Sequence, residues 1–224
     1  GKVAFTSLKQ KNYDYIPIKV YKDLPVDALS SITSVLAKMG EGEGATIQIL
    51  VRPAGSHWKH AGRGYIASTK KNEADPKTAK YKTDTKELEL IENAIGKSGF
   101  DVVIRIVVSA KTKTAAEAHL HNIVSAFSQF SGQNSFTENS HSVKGWFMKD
   151  FIYRYFPIKG QSSIFTSEEL ATIFHFPNKS VVTPGIHWLR SKRAPAPSNL
   201  PTSGLLVGRS AFRGIVKPVY IERD

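Results

Sequence analysis

The residues best suited to chemistry in this sequence are cations, and they are concentrated in residues 52–86. This segment contains nine Lys and Arg residues against three acidic residues, which gives it a net charge of +6. The whole chain of 224 residues carries +12, so half of the excess lies in less than a sixth of the length. Such an excess favours a polyanionic partner, because attraction to phosphates supplies much of the affinity for nucleic acids.

Aromatic and basic residues are interleaved in the run His57-Trp58-Lys59-His60. Cations contact phosphates and an aromatic ring stacks on a base, so this run favours contact with a nucleic acid. The alternative is a solvated helix face with Trp58 in the core, and both interpretations remain open at this point. A second basic cluster lies in the C-terminal region. The candidate nucleic-acid-binding residues are Arg52, His57, Trp58, Lys59, His60, Arg63, Lys70, Lys71, Arg190, Lys192 and Arg193.

A phosphate-binding loop is not indicated by the run Gly96-Lys97-Ser98. That motif requires an earlier glycine, where this chain has Ile91, and it requires a strand before the loop rather than a helix. The run is better explained as the end of a helix. The chain has no cysteine, which excludes disulfides, thiolate metal sites and a cysteine nucleophile.

Histidine and glutamate pairs also lack the spacing of a reactive site. His57 and His60 have no further ligand at suitable spacing, and His119 and His121 point to different sides of a helix. The adjacent pair at 168–169 belongs to a helix-capping sequence. We therefore expect no catalytic residues, no metal site and no cofactor.

The elements that position the basic segment follow a repeated order. An edge strand is predicted over 15–22, where apolar residues alternate around Pro17, and a helix follows with apolar residues spaced from Leu29 to Met39. The continuous apolar run 47–51 predicts a buried central strand. A helix over about 56–71 comes next, and a lysine-rich surface loop is predicted over 70–84.

The same order recurs 57 residues later, which predicts a duplicated helix–turn–strand–helix unit. Its elements are a helix over 85–96, a buried strand over 102–108 and a helix over 113–130. The sequence therefore predicts an α/β (α+β) fold of two related subdomains that share or oppose their sheets, ferredoxin-like or related. The predicted subdomains are residues 1–75 and residues 76–182.

Two helices and a changed C-terminal region complete the predicted organisation. An amphipathic helix over 143–156 is predicted to turn its aromatic residues to one side, and Thr166-Ser167-Glu168-Glu169 predicts a capping box. Residues 183–224 are predicted as a Pro-rich linker followed by short strands, with Gly208 and Gly214 as turns. No apolar run reaches the ~18 residues of a membrane span, so none is expected.

The C-terminal third resembles a known family in several short sequence segments. The segments that show the resemblance are 165–177 (FTSEELATIFHFP), 183–186 (TPGI), 194–201 (APAPSNLP) and 204–208 (GLLVG), with 44–54 and 125–130 further upstream. They are similar to the region preceding the motor in HerA–FtsK-type ATPases of the conjugative, type IV secretion kind, in a group abundant in Patescibacteria. The motor with its Walker A loop would follow Asp224, so no nucleotide-binding residue carries over.

The resemblance implies a non-catalytic accessory domain of a DNA-translocating ATPase, for docking a substrate or partner. It implies DNA, the downstream motor of the same protein and a hexamer of copies as partners. It also implies a bacterial protein located in the cytoplasm, at the inner face of the cell membrane in the full-length context. The alternative is an autonomous nucleic-acid-binding module that uses the basic segment 52–86.

Overall fold

A computed structural model describes residues 1–74, 85–139, 144–157, 160–176, 197 and 199–222. The chain divides into two compact units, Gly1–Ile186 and His187–Asp224. The strands are β1 (Lys2–Gln10), β2 (Gly44–Pro53), β3 (Gly99–Ala110), β4 (Phe136–Asn139), β5 (Ser163–Thr166), β6 (Leu205–Phe212) and β7 (Ile215–Ile221). The helices are α1 (Ala28–Leu36), α2 (His57–Ala74), α3 (Thr85–Gly96), α4 (Lys113–Ala126), α5 (Lys144–Tyr153) and α6 (Ser167–Ile173).

The first unit is built on an antiparallel sheet in the order β2-β3-β1-β4, and β5 pairs with the first residues of β3 beside β1. β1–α1–β2 and β3–α4–β4 are therefore two split βαβ units, as in ferredoxin-like folds. The helices α2 and α3 are inserted between β2 and β3. The mixed α and β class predicted from the sequence is confirmed.

The two predicted subdomains contribute strands to this single sheet, because β2 pairs with β3 along ten residue pairs. β2 was predicted to be a buried central strand, and this prediction is wrong. Among the described residues β2 has one neighbouring strand, and no residue of β2 is fully buried. β3, which has neighbours on both sides, is the buried strand.

One face of the sheet carries the main core. Alternate residues of β3 from Val102 to Ala110 point to this face, where Ile32 of α1 and Ile123 of α4 cover them. Phe127 and Phe130 continue this packing beyond α4 in a short 3-10 turn. The predicted helices over 85–96 and 113–130 and the predicted strand over 102–108 are confirmed.

Residues 15–22 do not form the predicted edge strand. The Ile18 N–H donates to the Glu169 carboxylate (2.9 Å), and the Lys19 N–H donates to the Phe130 carbonyl (2.9 Å). These bonds hold the segment as an irregular connection, with a 3-10 turn at Tyr21–Asp23. The N-terminal strand is instead β1, which the apolar pattern did not reveal.

The capping box of α6 is confirmed. The Thr166 hydroxyl accepts a hydrogen bond from the Glu169 N–H, and the Glu169 carboxylate accepts one from the Thr166 N–H. Burial raises the pKa of Glu169 above its usual value, against the hydrogen bonds from Thr166 and Ile18, which lower it. The same carboxylate thus caps α6 and holds the connection near Ile18.

The second unit contains the hairpin of β6 and β7, turning at Arg213 and Gly214, which both have positive φ. This turn is confirmed, and the strands predicted over 205–208 and 219–221 are confirmed within longer strands. Gly208 was predicted to be a turn but lies within β6, beside an irregularity in strand register. The predicted linker lies mostly outside the described residues. None of the helices in the described ranges is long and apolar enough to cross a membrane.

Candidate nucleic-acid interface

The helix α2 packs one narrow face against the rest of the unit. Its buried residues are Trp58, Gly62 and Ile66, spaced four apart, and they contact a second core formed with α3. Gly62 permits close packing, because a Cβ there would lie 2.8 Å from Cγ2 of Ile95. The partners of this face in the second core are Tyr15, Leu88, Ile91, Ile95 and Ile164.

The opposite side of α2 carries the basic residues predicted from the sequence. At about 100° per residue, the exposed cationic and histidine side chains spread over ~140° of the helix surface, on the side away from the buried face. We call this set the α2 basic stripe. Its members are His57, His60, Arg63, Lys70 and Lys71, all exposed, while Lys59 lies at its edge and is half-buried.

The charge of the α2 basic stripe is weakly compensated. Within the described ranges, no carboxylate lies within 4 Å of the cationic groups of Arg63, Lys70 or Lys71. Glu92 of α3 shares a shallow pocket with Arg63 and Lys70. Glu87 of α3 instead accepts a hydrogen bond from the Tyr65 hydroxyl (3.1 Å). With respect to the described residues, the stripe thus presents cations that need not break an ion pair to meet a phosphate.

Lys70 and Lys71 were predicted to lie in a surface loop, and this prediction is wrong because α2 continues to Ala74. The remainder of that predicted loop, residues 75–84, lies outside the described residues. The extension is consistent with residues 66–74, which contain neither Gly nor Pro to end the helix. It places both lysines on the same side as Arg63.

Trp58 does not belong to the exposed interface. It is 2% exposed, its ring lies against Gly99, and its Nε1 has no hydrogen-bond partner among the described residues. The Lys59 amine lies 5.5 Å from the ring centroid. Trp58 therefore belongs to the core, which is the alternative interpretation of the sequence, and it is not available to stack on a base.

Arg52 lies at the end of β2 and is already engaged. Its Nη2 donates to the Asp101 carboxylate (2.7 Å), and its guanidinium lies 3.9 Å from the centroid of the Phe156 ring. About half of the side chain remains exposed. Arg52 therefore contributes a partly neutralised cation, whereas Arg190, Lys192 and Arg193 lie outside the described residues.

The helix α5 presents an aromatic surface that the sequence interpretation placed elsewhere. The predicted amphipathic helix over 143–156 has Trp146, Phe147, Phe151, Ile152 and Tyr155 facing one way. The structure buries Phe147 but leaves Trp146 76%, Ile152 61% and Tyr155 52% exposed. The signal that could have found this surface is the spacing of Trp146, Lys149 and Tyr153, which places them together on a helix.

The position of α5 is set by Arg105, a fully buried residue of β3 on the sheet face opposite α1 and α4. Its Nη1 donates to the Asp150 carbonyl (3.1 Å), and its Nη2 donates to the Tyr155 carbonyl (2.8 Å). Gln48 of β2 donates to the Phe151 carbonyl (3.0 Å). Burial lowers the pKa of Arg105, and the Asp150 carboxylate opposes that shift.

The family model for DUF8128, a domain of unknown function, matches residues 1–189. The chain belongs to this family. The matched residues include the complete sheet and helices of the first unit, so α2 and α5 both lie within the DUF8128 domain. No curated protein matches the sequence.

Two histidines of the DUF8128 domain lie beside carboxylates. His119 lies 3.0 Å from the Glu43 carboxylate, and His175 lies 3.3 Å from that of Asp27. The Gly40 N–H and His119 together lower the pKa of Glu43. In the part of the chain that the structure describes, no three His, Asp or Glu side chains converge as metal ligands.

Proposed function

We propose that this domain binds DNA through the α2 basic stripe, as a non-catalytic accessory domain of a DNA-translocating ATPase. The observation that carries the proposal is the alignment of the stripe's basic residues on one exposed helix side, opposite the side that packs. Basic residues spread along one side of a helix suit a regularly charged polymer better than a small anion, since a small anion requires convergent donors.

The dimensions of the stripe suit contact with a phosphate backbone. His57 and Lys71 are separated by ~21 Å along the helix axis, at about 1.5 Å per residue. One strand of DNA carries about six phosphates over that length, at roughly 3.4 Å each. The stripe provides flexible side chains rather than a base-reading motif, so the proposed binding is independent of base sequence.

The role beside a motor is supported by the resemblance of the C-terminal segments to the region before HerA–FtsK-type motors. A domain that holds DNA weakly and without sequence preference is suited to a translocating machine, because the substrate must move past it. The basic stripe then holds DNA near the motor without fixing its register.

Charge reversal tests the binding surface. Arg63→Glu with Lys70→Glu is compared with Lys11→Glu with Lys38→Glu, which changes two exposed lysines elsewhere by the same net charge. Fluorescence anisotropy with a duplex measures the dissociation constant between about 50 and 200 mM salt. We expect the first variant to reduce the slope of log affinity against log salt by about 2, because two phosphate contacts are lost. Equal loss in both variants would rule out the stripe.

The accessory role is tested in the full-length protein. We expect DNA to stimulate its ATP hydrolysis, and we expect Arg63→Glu with Lys70→Glu to raise the DNA concentration needed for half of that stimulation. Basal hydrolysis without DNA should be unchanged, because the variant residues lie outside the motor. A full-length protein that hydrolyses no ATP would refute the accessory role but not DNA binding.

A further inference from the structure

A second exposed surface, on α5, combines aromatic rings with cations. We call it the α5 surface and define it as Trp146, Lys149, Tyr153, Arg154 and Tyr155. Their exposed fractions include 76% for Trp146, 63% for Tyr153 and 52% for Tyr155. At about 100° per residue, Trp146, Lys149 and Tyr153 fall within ~60° on the helix, so they share one side.

The two tyrosine rings of this surface are held against each other, and the helix that carries Trp146 is fixed on the sheet. The Tyr153 and Tyr155 rings stack with centroids 5.6 Å apart and planes 18° apart. On the inner side, Phe147 stacks on Phe5 of β1 with centroids 4.5 Å apart. The hydrogen bonds from Arg105 to the carbonyls near the end of α5 fix the helix on the sheet. A ligand would therefore meet rings that need little ordering on binding.

The charge around these rings is positive. Lys149 and Arg154 are exposed, and no carboxylate of the described residues lies within 4 Å of either cationic group. The acidic residue of the helix, Asp150, directs its carboxylate toward Arg105 at 4.0 Å. Arg52 lies beside Phe156, but its charge is partly neutralised by Asp101. The surface thus matches a ligand with flat apolar faces and negative charge.

We infer that the α5 surface binds single-stranded nucleic acid, with bases stacked on Trp146 and on the outer face of the Tyr153–Tyr155 pair. Lys149 and Arg154 contact the adjoining phosphates. Trp146 and Tyr153 are ~10 Å apart along the helix axis, which corresponds to about three stacked nucleotides. This inference builds on the proposed function by adding a preference for unpaired strands, since bases within a duplex do not expose their faces.

A membrane surface is the main competing partner, because Trp, Tyr and Lys also occur at lipid interfaces. A helix lying in a membrane buries a broad apolar side in the lipid. In α5 the side with Phe147 is already packed against the sheet, and the outer side carries Lys149 among its aromatic rings. Ile152 is the one exposed aliphatic residue of the helix among its described side chains. These observations favour stacking on bases over insertion among lipid chains.

The experiment compares a single strand of ~12 thymidines with a duplex of the same length by fluorescence anisotropy. We expect Trp146→Ala with Tyr153→Ala to weaken binding of the single strand. Each lost stacking contact should reduce the affinity by about 5-fold to ~150-fold. Duplex affinity should change less than about twofold, because bases stay paired. Trp146→Phe with Tyr153→Phe should retain most of the affinity, and Trp146→Leu with Tyr153→Leu should not.

Two outcomes separate this inference from the proposed function. If the alanine variant binds the single strand as tightly as the wild type does, while Arg63→Glu with Lys70→Glu weakens binding of both the single strand and the duplex, the α5 inference is wrong and the role of the α2 basic stripe is supported. If the alanine variant loses affinity for the single strand but Arg63→Glu with Lys70→Glu binds both ligands as the wild type does, the role of the α2 basic stripe is wrong and the α5 inference is supported.

A vesicle arm tests the lipid alternative with phosphatidylglycerol–phosphatidylcholine vesicles. If the leucine variant still sediments with the vesicles and the alanine variant does not, the surface binds lipid. That result, together with an unchanged affinity for the single strand, would overturn the inference. Absence of vesicle binding together with loss of single-strand affinity supports stacking. Both variants change exposed side chains, and matching thermal unfolding curves confirm that they fold.

Discussion

The paired strands β2 and β3 run side by side for ten residue pairs, yet they differ in what surrounds them. Ile47 and Ile49 of β2 face Ile106 and Ile104 of β3 in the register. The two β3 residues are fully buried, while the two β2 residues are partly exposed. The side chains are the same, so the difference arises from neighbouring elements rather than from residue type.

The difference shows that two strands of similar sequence contribute unequally to the stability of the domain when they lie at different positions in the sheet. β3 has β2 on one side and β1 and β5 on the other, and both of its faces are covered. β2 lies at one end of the sheet, and Ile47, Ile49 and Val51 line an open groove beside α6. We therefore expect substitutions in β3 to cost much more free energy than substitutions at paired positions in β2.

The largest expected contrast is between Arg105 and its register partner Gln48. Arg105→Ala removes a donor from three acceptors, one of which, the Asp150 carbonyl, still accepts a hydrogen bond from the Tyr155 N–H. Unsatisfied buried polar groups cost about 1–3 kcal/mol each, so we expect a loss of roughly 4 kcal/mol in unfolding free energy. Gln48→Ala should cost about 1 kcal/mol, because Arg105 keeps its other acceptors.

Urea unfolding of both variants measures this contrast, and Arg105→Met provides a control that keeps the length of the side chain. If Arg105→Met unfolds with the wild-type free energy, packing rather than hydrogen bonding secures α5. Equal losses for Arg105→Ala and Gln48→Ala would contradict the unequal roles of the two strands.

The second contrast uses the matched isoleucines Ile106 and Ile47. Truncation of a buried isoleucine to alanine removes apolar contacts and leaves a cavity, so Ile106→Ala should lower the unfolding free energy by about 3 kcal/mol. Ile47→Ala should cost about 1 kcal/mol, since its side chain is already partly in contact with water. The same urea titration tests both variants, and losses within about 0.5 kcal/mol of each other would refute the comparison.

The fold was predictable where one side of a helix meets water or where a strand is apolar throughout. The helices over 85–96 and 113–126 show that pattern, and β3 shows the continuous apolar run of a buried strand. β1 was missed because both of its faces are covered and it buries Thr6, Ser7 and Gln10 beside apolar residues. The alternation of apolar and polar residues along β1 is therefore weak. The connection at 15–22 depends on bonds to Glu169 and Phe130, which no local pattern contains.

The site was predictable to a similar degree. The sequence predicted a helix over about 56–71 and named His57, His60 and Arg63 as candidates, and the structure exposes all three on α2. Whether Trp58 joined them depended on which side of α2 packs against α3. The α5 surface was mispredicted because that helix has apolar residues around most of its circumference, and only the contacts of Arg105 and Phe147 decide which side is buried.

The smallest expected contrast uses glycines, Gly99 at the start of β3 and Gly44 at the start of β2. A Cβ at Gly99 would lie 2.6 Å from Cζ2 of the buried Trp58 ring, whereas a Cβ at Gly44 meets nothing within 4 Å. Gly99→Ala should therefore lower the unfolding free energy by about 1–3 kcal/mol, since the rigid indole must shift. Gly44→Ala should change it by less than about 0.5 kcal/mol.

Urea titration followed by circular dichroism measures both glycine variants. The two substitutions add the same methyl group to the first residue of a strand, so the difference between them reports the surroundings of that residue. A Gly99→Ala variant as stable as the wild type would show that Trp58 can move away from β3 at little cost. Because Trp58 also anchors α2, that result would mean that the basic stripe rests on a less rigid support than the paired strands provide.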